Sequence, residues 1–348
     1  MEATANSLQT HYQELKEENP HLRAKQAAEK LGVTEAELTQ VMPNIVPLKP
    51  EFQEILKRVT DLGYVMALTR NENVVHERKG TYLNPELENP HVGLFVGDDI
   101  DLRIFFASWK YAFAIQSEER GKASNGLLFY AKDGSSIHKI YLTKSSNYEA
   151  FDQLVSDFSL GDLYDIVPEK TPAKPAPKAD SEIDVEAFQE EWRNLQDTHH
   201  FFGMLKKYGV ERTQALRLAP EGDYAVKVEG TALRDILQRA SEKKVEIMVF
   251  VGNPGMIQIH TGPVNNLLEH GTWYNVIDPA FNLHVNEPAI TECWVVRKPT
   301  EDGVVTALEC YDKDGELIVQ FFGKRKPGIP ELTSWREIVK ETEDKLKA

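Results

Sequence analysis

The sequence predicts an α+β fold built as a tandem structural repeat, in which each half is a large antiparallel β-sheet with flanking helices. Three observations predict it: segments recur in the same order in both halves, a proline-rich stretch separates them, and short strands follow one another with turns between. Successive strands joined by short turns favour antiparallel pairing over β-α-β units.

The repeat is clearest in two hairpin segments that are 181 residues apart, Phe129–Lys144 (FYAKDGSSIHKIYLTK) and Cys310–Arg325 (CYDKDGELIVQFFGKR). Each predicts a strand, a Lys-Asp-Gly turn and a second strand, with Asp-Gly supplying the positive φ of the turn. Three further pairs keep nearly the same spacing and order: DLRI with NLHV, TRN with VGN, and LGV with YGV. Ordered matches over most of both halves indicate a duplication.

Helices open each half and strands follow. In the first half, periodicity and turn signals predict helices at 7–18, 22–31, 35–41 and 51–62, then the strands VMALTRN, NVVHERKG, VGLFVG and DLRIFFA. In the second half they predict helices at 185–208, 212–217 and 231–243, the strands EIMVFVGN, MIQIHTG, WYNVID, FNLHVN and CWVVRKP, and a closing helix at 333–346. Each half ends its strand series with the Lys-Asp-Gly hairpin.

Domain boundaries follow from a segment with four prolines and no large apolar residue, PEKTPAKPAPKAD, which begins at Pro168. Such a composition favours an extended linker. We therefore predict an N-terminal repeat at 1–167, a Pro-rich linker at 168–183 and a C-terminal repeat at 184–348.

The charge balance excludes some classes of function. Forty basic and 55 acidic residues give a net charge of -15, which argues against a nucleic-acid surface. The sequence has no run of eighteen apolar residues, so no membrane span is predicted. The first residues show no secretory signal, so a cytoplasmic location is expected. Cys293 and Cys310 form no metal-binding or disulfide pattern and are predicted to be core residues.

One histidine marks a difference between the copies. A helix over Val185–Tyr208 would place His199 within an apolar stripe, whereas its counterpart 177 residues earlier is Leu22. Two interpretations are open: a core histidine bonded to backbone, or an axial ligand to haem iron, which needs one neutral imidazole beside an apolar cleft. His200 is either a solvated neighbour or an alternate ligand.

Haem also carries two propionates, which favour arginine and lysine. The candidate donors on strands or strand ends are Arg103, Lys298, Lys324 and Arg325. Flat apolar contacts would come from Phe105, Phe250 and Phe321 or Phe322. For each of these residues the alternative is an ordinary solvated cation or a core aromatic.

The segment EWRNLQDTHHFFGMLKK, with DLRIFF, NVVHERKG, IMVFVGN, WVVRKPT, the KDG turns and Arg325, resembles the bacterial haemin-degrading or haemin transport family of the HemS and HmuS type. The resemblance covers nearly the whole chain. It implies a cytoplasmic protein that receives haem b (iron protoporphyrin IX) after its uptake across the cell envelope and takes part in iron utilisation.

The resemblance also implies a set of site residues. His199 would be the proximal, metal-binding ligand, and the residues lining the haem would be Arg103, Phe105, Phe250, Lys298, Gln320 and Arg325. His76 would give a secondary haem site, the alternative being a surface strand histidine. Phe322 stands where the family often has tyrosine, so a phenol donor near the haem is missing.

The resulting hypothesis is an oxidoreductase of haem oxygenase type that degrades haem and releases iron, with His199 and Arg103 as catalytic residues. No GxGxxG follows a strand, so an external reductant is expected, alongside a haem-uptake transporter or haem acceptor protein as partner. The alternative is a carrier that transfers intact haem to another protein. A third hypothesis is a binding module for another flat apolar ligand.

Overall fold

The computed structural model describes residues 2–119, 122–170, 174–326 and 328–348, with side chains described from Ser7 onward and outside 117–123. Residues 171–173 of the predicted linker lie outside this description. The chain divides into unit 1 (Met1–Arg70, His76–Pro172 and Gly252–Gln258) and unit 2 (Asn71–Val75, Ala173–Val251 and Ile259–Ala348). The boundaries predicted for the repeats from the sequence stay predictions.

Among the described residues, unit 1 is built from the first five α-helices and the first nine strands, except that the first two residues of the third strand belong to unit 2. The helices are α1 (Glu2–Glu18), α2 (Ala24–Leu31), α3 (Glu35–Val41), α4 (Phe52–Val59) and α5 (Tyr148–Phe158). The strands are β1 (Ile45–Leu48), β2 (Gly63–Arg70), β3 (Val74–Thr81), β4 (Pro85–Glu86), β5 (Val92–Val96), β6 (Asp101–Phe105), β7 (Trp109–Glu119), β8 (Lys122–Ala131) and β9 (Ser136–Ser146). They run in the orders β1-β7-β8-β9-β2-β3 and β6-β5-β4.

Unit 2 repeats that series. Its helices are α6 (Val185–Arg193), α7 (His200–Tyr208), α8 (Arg212–Arg217), α9 (Ala232–Lys243) and α10 (Thr333–Leu346). Its strands are β10 (Ala225–Val228), β11 (Ile247–Asn253), β12 (Met256–Gly262), β13 (Leu267–His270), β14 (Trp273–Ile277), β15 (Phe281–Asn286), β16 (Glu292–Thr300), β17 (Gly303–Tyr311) and β18 (Leu317–Gly323). They run in the orders β10-β16-β17-β18-β11 and β15-β14-β13.

The order of helices and strands along the chain is the same in both units. The predicted α+β class, with a tandem repeat and a large antiparallel sheet in each half, is therefore confirmed. The sequence patterns missed α5, the short strands β1, β4, β10 and β13, and the long strand β7. Among the described residues, every helix is too short or too polar to cross a lipid bilayer.

Each unit has its own core. In unit 1, α4 and α5 bury Ile55, Leu56 and Phe151 against the sheet, whereas in unit 2 α9 and α10 bury Ile236 and Trp335 in the same way. A further core lies under α6, α7 and α8, where Trp192 and Phe201 pack with Tyr311 of the sheet. Cys293 and Cys310 are fully buried on β16 and β17, as predicted.

The Lys-Asp-Gly turns require glycine. Gly134 and Gly315 have φ of 82° and 74°, as the hairpin pattern predicts. A Cβ on Gly134 would lie 2.5 Å from the side chain of Thr34, which caps the N-terminus of α3. The equivalent Cβ on Gly315 would lie 3.2 Å from Thr213 in α8. In both units the turn thus supports the first residues of a helix that contributes to a buried ion cluster described below.

Candidate functional site

The segment predicted as one helix over 185–208 forms two helices, α6 and α7, separated by a turn. Asn194 ends α6, because its Nδ2 donates to the Glu190 carbonyl at 2.9 Å. Asp197 follows, and its Oδ1 accepts the backbone N–H of His199 at 2.8 Å. Short polar side chains that bond nearby backbone compete with helix formation, which is why the single-helix prediction is wrong.

The break changes which side chains are buried. Phe202 was predicted on the apolar stripe but is 61% exposed, whereas Phe201 is 1% exposed. His199 is the N-cap residue of α7, and its side chain is 86% exposed. The imidazole is therefore neither in the middle of an apolar helix face nor a core group bonded to backbone, so both of those predictions are wrong.

One side of the His199 ring is anchored. Nδ1 lies 2.6 Å from Oδ1 of Asp197, the same oxygen that accepts the backbone N–H of His199. These bonds, the backbone one first, hold the pKa of the Asp197 carboxyl below its ordinary value. Metal-binding histidines commonly use one ring nitrogen for such an outer hydrogen bond and the other for the metal. An exposed ring with Nδ1 occupied leaves Nε2 for an iron ligand, which fits the requirement of haem.

Other exposed groups lie beside that ring. His200 is the first residue of α7 and is also exposed. The ammonium of Lys206 lies 4.6 Å from the ring centroid of Phe202. The N-terminal end of α7 therefore presents two imidazoles, an aromatic ring and a cation on one short stretch of surface.

Four of the other predicted residues of unit 2 share one face of its sheet. Glu309 pairs with Trp294 on β16 and with Gln320 on β18, and Phe250 on β11 pairs with Gln320. Because directly paired residues and every second residue along a strand point to the same side, Lys298, Gln320, Phe322 and Phe250 lie on the face that holds Glu309. Helices α6 to α8 pack over part of this face through Trp294 and Tyr311.

Lys298 and Gln320 meet at a carboxylate that sequence patterns did not single out. Oε1 of the fully buried Glu309 accepts from Lys298 Nζ at 3.0 Å and from Gln320 Nε2 at 2.9 Å. Arg212 of α8 completes the cluster, donating to Oε1 at 2.7 Å through Nη2 and to Oε2 at 3.0 Å through Nε. The Tyr311 hydroxyl also donates to Oε2.

The charges of this cluster sum to one excess positive charge, because Lys298 and Arg212 surround one carboxylate. Burial disfavours ionisation of Glu309, but the charges of Arg212 and Lys298 outweigh it and hold the Glu309 pKa well below its ordinary value. For Lys298, burial dominates and lowers the pKa of the ammonium, against the opposing effect of Glu309. A buried cluster with surplus positive charge favours an anion beside it.

Phe201 connects the cluster to the helix that begins beside His199. Its ring centroid lies 4.3 Å from Lys298 Nζ and 5.7 Å from the guanidinium carbon of Arg212. A cation is attracted to the face of an aromatic ring, and the attraction is stronger where water is excluded. The sheet network thus fixes the second helical residue of α7, two positions after His199.

The other predicted aromatic residues of unit 2 differ in burial, and the other predicted cations each lie near an acid. Phe321 is fully buried in the core, whereas Phe250 and Phe322 are half-buried, with ring centroids 4.9 Å apart. Lys324 forms an ion pair with Glu246 at 2.8 Å. Arg325 lies 3.8 Å from Asp302 and keeps 20% of its side chain exposed.

In unit 1, Arg103 and Phe105 lie on β6 and are half-buried. The guanidinium of Arg103 pairs with Asp101, and burial raises the Asp101 pKa against the opposing charge of Arg103. His76 is fully buried on β3, with Nδ1 2.8 Å from Nε2 of Gln258, so its interpretation as a surface histidine is wrong. A porphyrin would reach that imidazole only if the surrounding strands moved, and a secondary haem site there stays a prediction.

Sequence reasoning missed Asp197, Phe201, Arg212 and Glu309. A usable signal was present for Glu309, because it is the one acid in the apolar strand VVTALECY, and a buried charge needs partners. Asp197 and Phe201 stand in the segment that carries the family resemblance, but no role was predicted for them, and Arg212 carried no signal beyond its residue type.

Comparison with known proteins gives the same arrangement of two copies. A family model described as the haemin-degrading HemS.ChuX domain matches residues 32–158 and again residues 209–342. The hemin transport protein HemS of Yersinia enterocolitica is 36% identical over 346 residues, which cover 98% of this chain and 99% of that protein.

Two solved structures are also similar. The heme-binding protein PhuS from Pseudomonas aeruginosa, in its holo form, has a TM-score of 0.93 and 43% identity, with 96% of this chain and 98% of that chain covered. ChuS, described as an E. coli heme oxygenase, has a TM-score of 0.86 and 33% identity, with coverage of 96% and 99%.

The fold and the site define a protein of two α+β repeats that presents an anchored, exposed imidazole from its second copy. The chain belongs to the haemin-degrading HemS.ChuX family. The family resemblance predicted from the sequence is therefore confirmed.

Proposed function

We propose that this protein binds haem b through His199 in the cytoplasm and opens the ring oxidatively, releasing iron after haem uptake. The observation that carries the proposal is the exposed imidazole at the start of α7, whose Nδ1 is already occupied by Asp197. Relatives described as a heme-binding protein and a heme oxygenase support the same ligand and reaction.

In this proposal the chain supplies binding and orientation. Nε2 of His199 would bind the iron, and the guanidinium group of Arg325 in the same unit would bind a carboxylate of the ligand. Phe250 contributes flat apolar surface, which favours burial of a porphyrin by about 25 cal/mol per Å². Bound haem supplies the redox chemistry, with electrons from an external donor.

Lys298 and Gln320 have a more restricted role than the resemblance implies. Both donate to Glu309, but the ammonium of Lys298 has three N–H groups and only one of them is used there. We propose that Lys298 interacts with haem through its remaining donors while Glu309 holds it in place.

One experiment distinguishes haem degradation from haem transfer as the function of the protein. The haem complex is mixed with ascorbate and catalase, and the Soret band and released iron are followed against time. Loss of the band with iron release supports degradation. An intact band, followed by transfer of haem to added apomyoglobin, overturns it in favour of the carrier, as the name of the Yersinia relative suggests.

A haemin titration tests the ligand assignment. We expect His199→Ala to lose the Soret spectrum of the wild type, with His199→Ala/His200→Ala as the control for substitution by the neighbouring exposed imidazole. His270→Ala, which removes an exposed histidine on β13, is the matched control and should bind haemin normally. A wild-type spectrum in the double variant overturns the assignment, and no Soret shift in the wild type favours another flat apolar ligand.

A further inference from the structure

Asp197 is placed to act on the His199 ring rather than only on the local backbone. Its Oδ1 lies 2.6 Å from Nδ1 of the ring and 2.8 Å from the backbone nitrogen of the same residue. We propose that Asp197 is a positioning residue that holds the His199 proton on Nδ1, aims Nε2 at the iron and strengthens it as a ligand. This inference rests on the proposed function.

The turn keeps the carboxylate in place before any ligand arrives. The carbonyl oxygen of Asp197 accepts the backbone N–H of His200 at 3.1 Å, so the main chain of Asp197 is fixed at the start of α7. Its side chain lies at the positive end of a nine-residue helix, where the helix dipole stabilises a negative charge. Two bonds to one residue and a favourable field give the carboxylate a single preferred position.

The hydrogen bond determines which ring nitrogen is free. A neutral imidazole has one N–H donor and one acceptor, and the partner of one nitrogen determines the role of the other. A carboxylate only accepts, so the proton must lie on Nδ1 and the lone pair on Nε2. Without Asp197, the 86% exposed ring would be free to carry its proton on Nε2, the atom that the iron needs.

The same bond changes the electronic character of the ligand. A carboxylate on Nδ1–H makes the imidazole more electron-rich, and outer-shell partners of this kind raise ligand basicity. A stronger donor stabilises ferric over ferrous iron, so the reduction potential of the haem complex falls. Asp197 would then affect the potential without touching the porphyrin.

The alternative role of Asp197 is purely structural, as a residue that caps a turn. Asp197→Ala removes the bond to the ring, whereas Asp197→Asn isolates the effect of the charge, because asparagine keeps the oxygen that accepts both N–H groups but is neutral. Asp184→Asn is the matched control. Asp184 caps α6 by accepting from the Ala187 N–H at 3.1 Å, and it has no histidine partner.

Two measurements test the proposal. The first follows the ¹⁵N shifts of His199 in the haem-free protein at about pH 8.5, well above the ordinary histidine pKa, with His199→Ala for assignment. We expect the Nδ1–H tautomer in the wild type, in Asp184→Asn and in Asp197→Asn, which keeps the accepting oxygen, and a shift towards Nε2–H in Asp197→Ala, which removes it. An unchanged tautomer in Asp197→Ala overturns the proposal, whether or not the protein binds haem.

The second measures the ferric/ferrous potential, the iron–histidine stretching frequency and the rate of haem loss in the loaded protein. In Asp197→Asn we expect a higher potential, a lower stretching frequency and haem loss faster by about 10- to 100-fold. A tenfold loss of ferric selectivity corresponds to about 59 mV. Values equal to those of the wild type and of Asp184→Asn would assign Asp197 to the turn alone. If the wild type shows no Soret band with haemin, the proposed function is wrong instead, and the tautomer measurement still decides the role of Asp197.

Discussion

Unit 1 and unit 2 each contain a buried carboxylate that pairs with two cations, and in each unit one member of the cluster is the first residue of the equivalent helix. In unit 1 the acid is Glu35, the first residue of α3, and the cations Arg70 and Lys139 lie on the sheet. In unit 2 the polarity is reversed: the first residue of α8 is the cation Arg212, and the acid Glu309 lies on the sheet.

The reversal changes how firmly each carboxylate is held. Glu35 lies at the positive end of a helix, where its charge is favoured, with Arg70 as its hydrogen-bonding partner and Lys139 at 3.7 Å. Arg212 occupies a helix end that disfavours a cation, and Glu309 offsets this with two hydrogen bonds from the same guanidinium. The comparison shows that duplication can retain a charge balance while moving the carboxylate to a sheet face.

The sheet position of the carboxylate in unit 2 goes with other sequence differences between the two copies around the candidate site. Glu309 corresponds to Leu128 at the 181-residue spacing of the repeat, and Gln320 corresponds to Lys139. Only unit 2 therefore has a sheet carboxylate that collects Lys298 and Gln320 beneath Phe201 and α7.

The largest expected effect comes from Glu309→Gln. Removing the charge leaves Lys298 and Arg212 buried without a counter-ion, and we expect a loss of about 3–5 kcal/mol in the free energy of unfolding. Urea denaturation at neutral pH measures it. A loss under about 1 kcal/mol would show that Glu309 does not hold the cluster together.

The equivalent substitution in unit 1, Glu35→Gln, should cost less, about 1–3 kcal/mol. Its carboxylate keeps 10% exposure and has fewer donors than Glu309, so solvent compensates part of the loss. The same urea measurement applies. An effect equal to or greater than that of Glu309→Gln would contradict the contrast between the two clusters.

The pH dependence of stability sharpens the comparison. The pKa of Glu309 and that of Glu35 are both lowered in the folded protein, because neighbouring cations outweigh the opposing effect of burial. The unfolded chain therefore binds protons first, so stability is present above the ordinary carboxyl pKa of about 4.3 and is lost as pH falls below it. Thermal unfolding between pH 7 and pH 3 should show a flatter profile for each glutamine variant than for the wild type, with the larger flattening in Glu309→Gln. Parallel profiles in all three proteins would argue against both clusters as sources of acid sensitivity.

The smallest expected effect on stability is that of His199→Leu, which restores the residue type of the first copy. Because the ring is 86% exposed, we expect a change within about 0.5 kcal/mol in urea denaturation. The same variant should lose the haemin spectrum of the wild type. A large loss of stability would indicate a structural role for the imidazole.

Local patterns predicted most helices and strands, including α3, α8, α10, β12 and β15 with their bounds. They failed at 194–199, where an apolar stripe continued across residues whose side chains terminate a helix. The stripe predicted Phe202 inside and missed Phe201, because the turn rotates α7 relative to the pattern. Apolar spacing alone does not register the competition between Asn194 or Asp197 and the helical backbone.

The residues of the candidate site also fall into those that the sequence predicted and those that it did not. Family resemblance predicted His199, Lys298, Gln320 and Phe250 as site residues, yet it did not predict Asp197 or Glu309, which hold the first three in place. A partner two residues away is visible in the sequence, but its hydrogen bond depends on the turn. A partner such as Arg212, 97 residues from Glu309, has no local signature at all.

By itself, the sequence determined the two-copy architecture and the family, because repeated strands, turns and glycines with positive φ are local requirements that leave local patterns. Only the tertiary structure decided which charges meet at Glu309 and that the His199 ring is exposed. Those outcomes depend on the packing of distant strands and on where a helix ends, and both are settled by competition between groups that the linear pattern does not bring together.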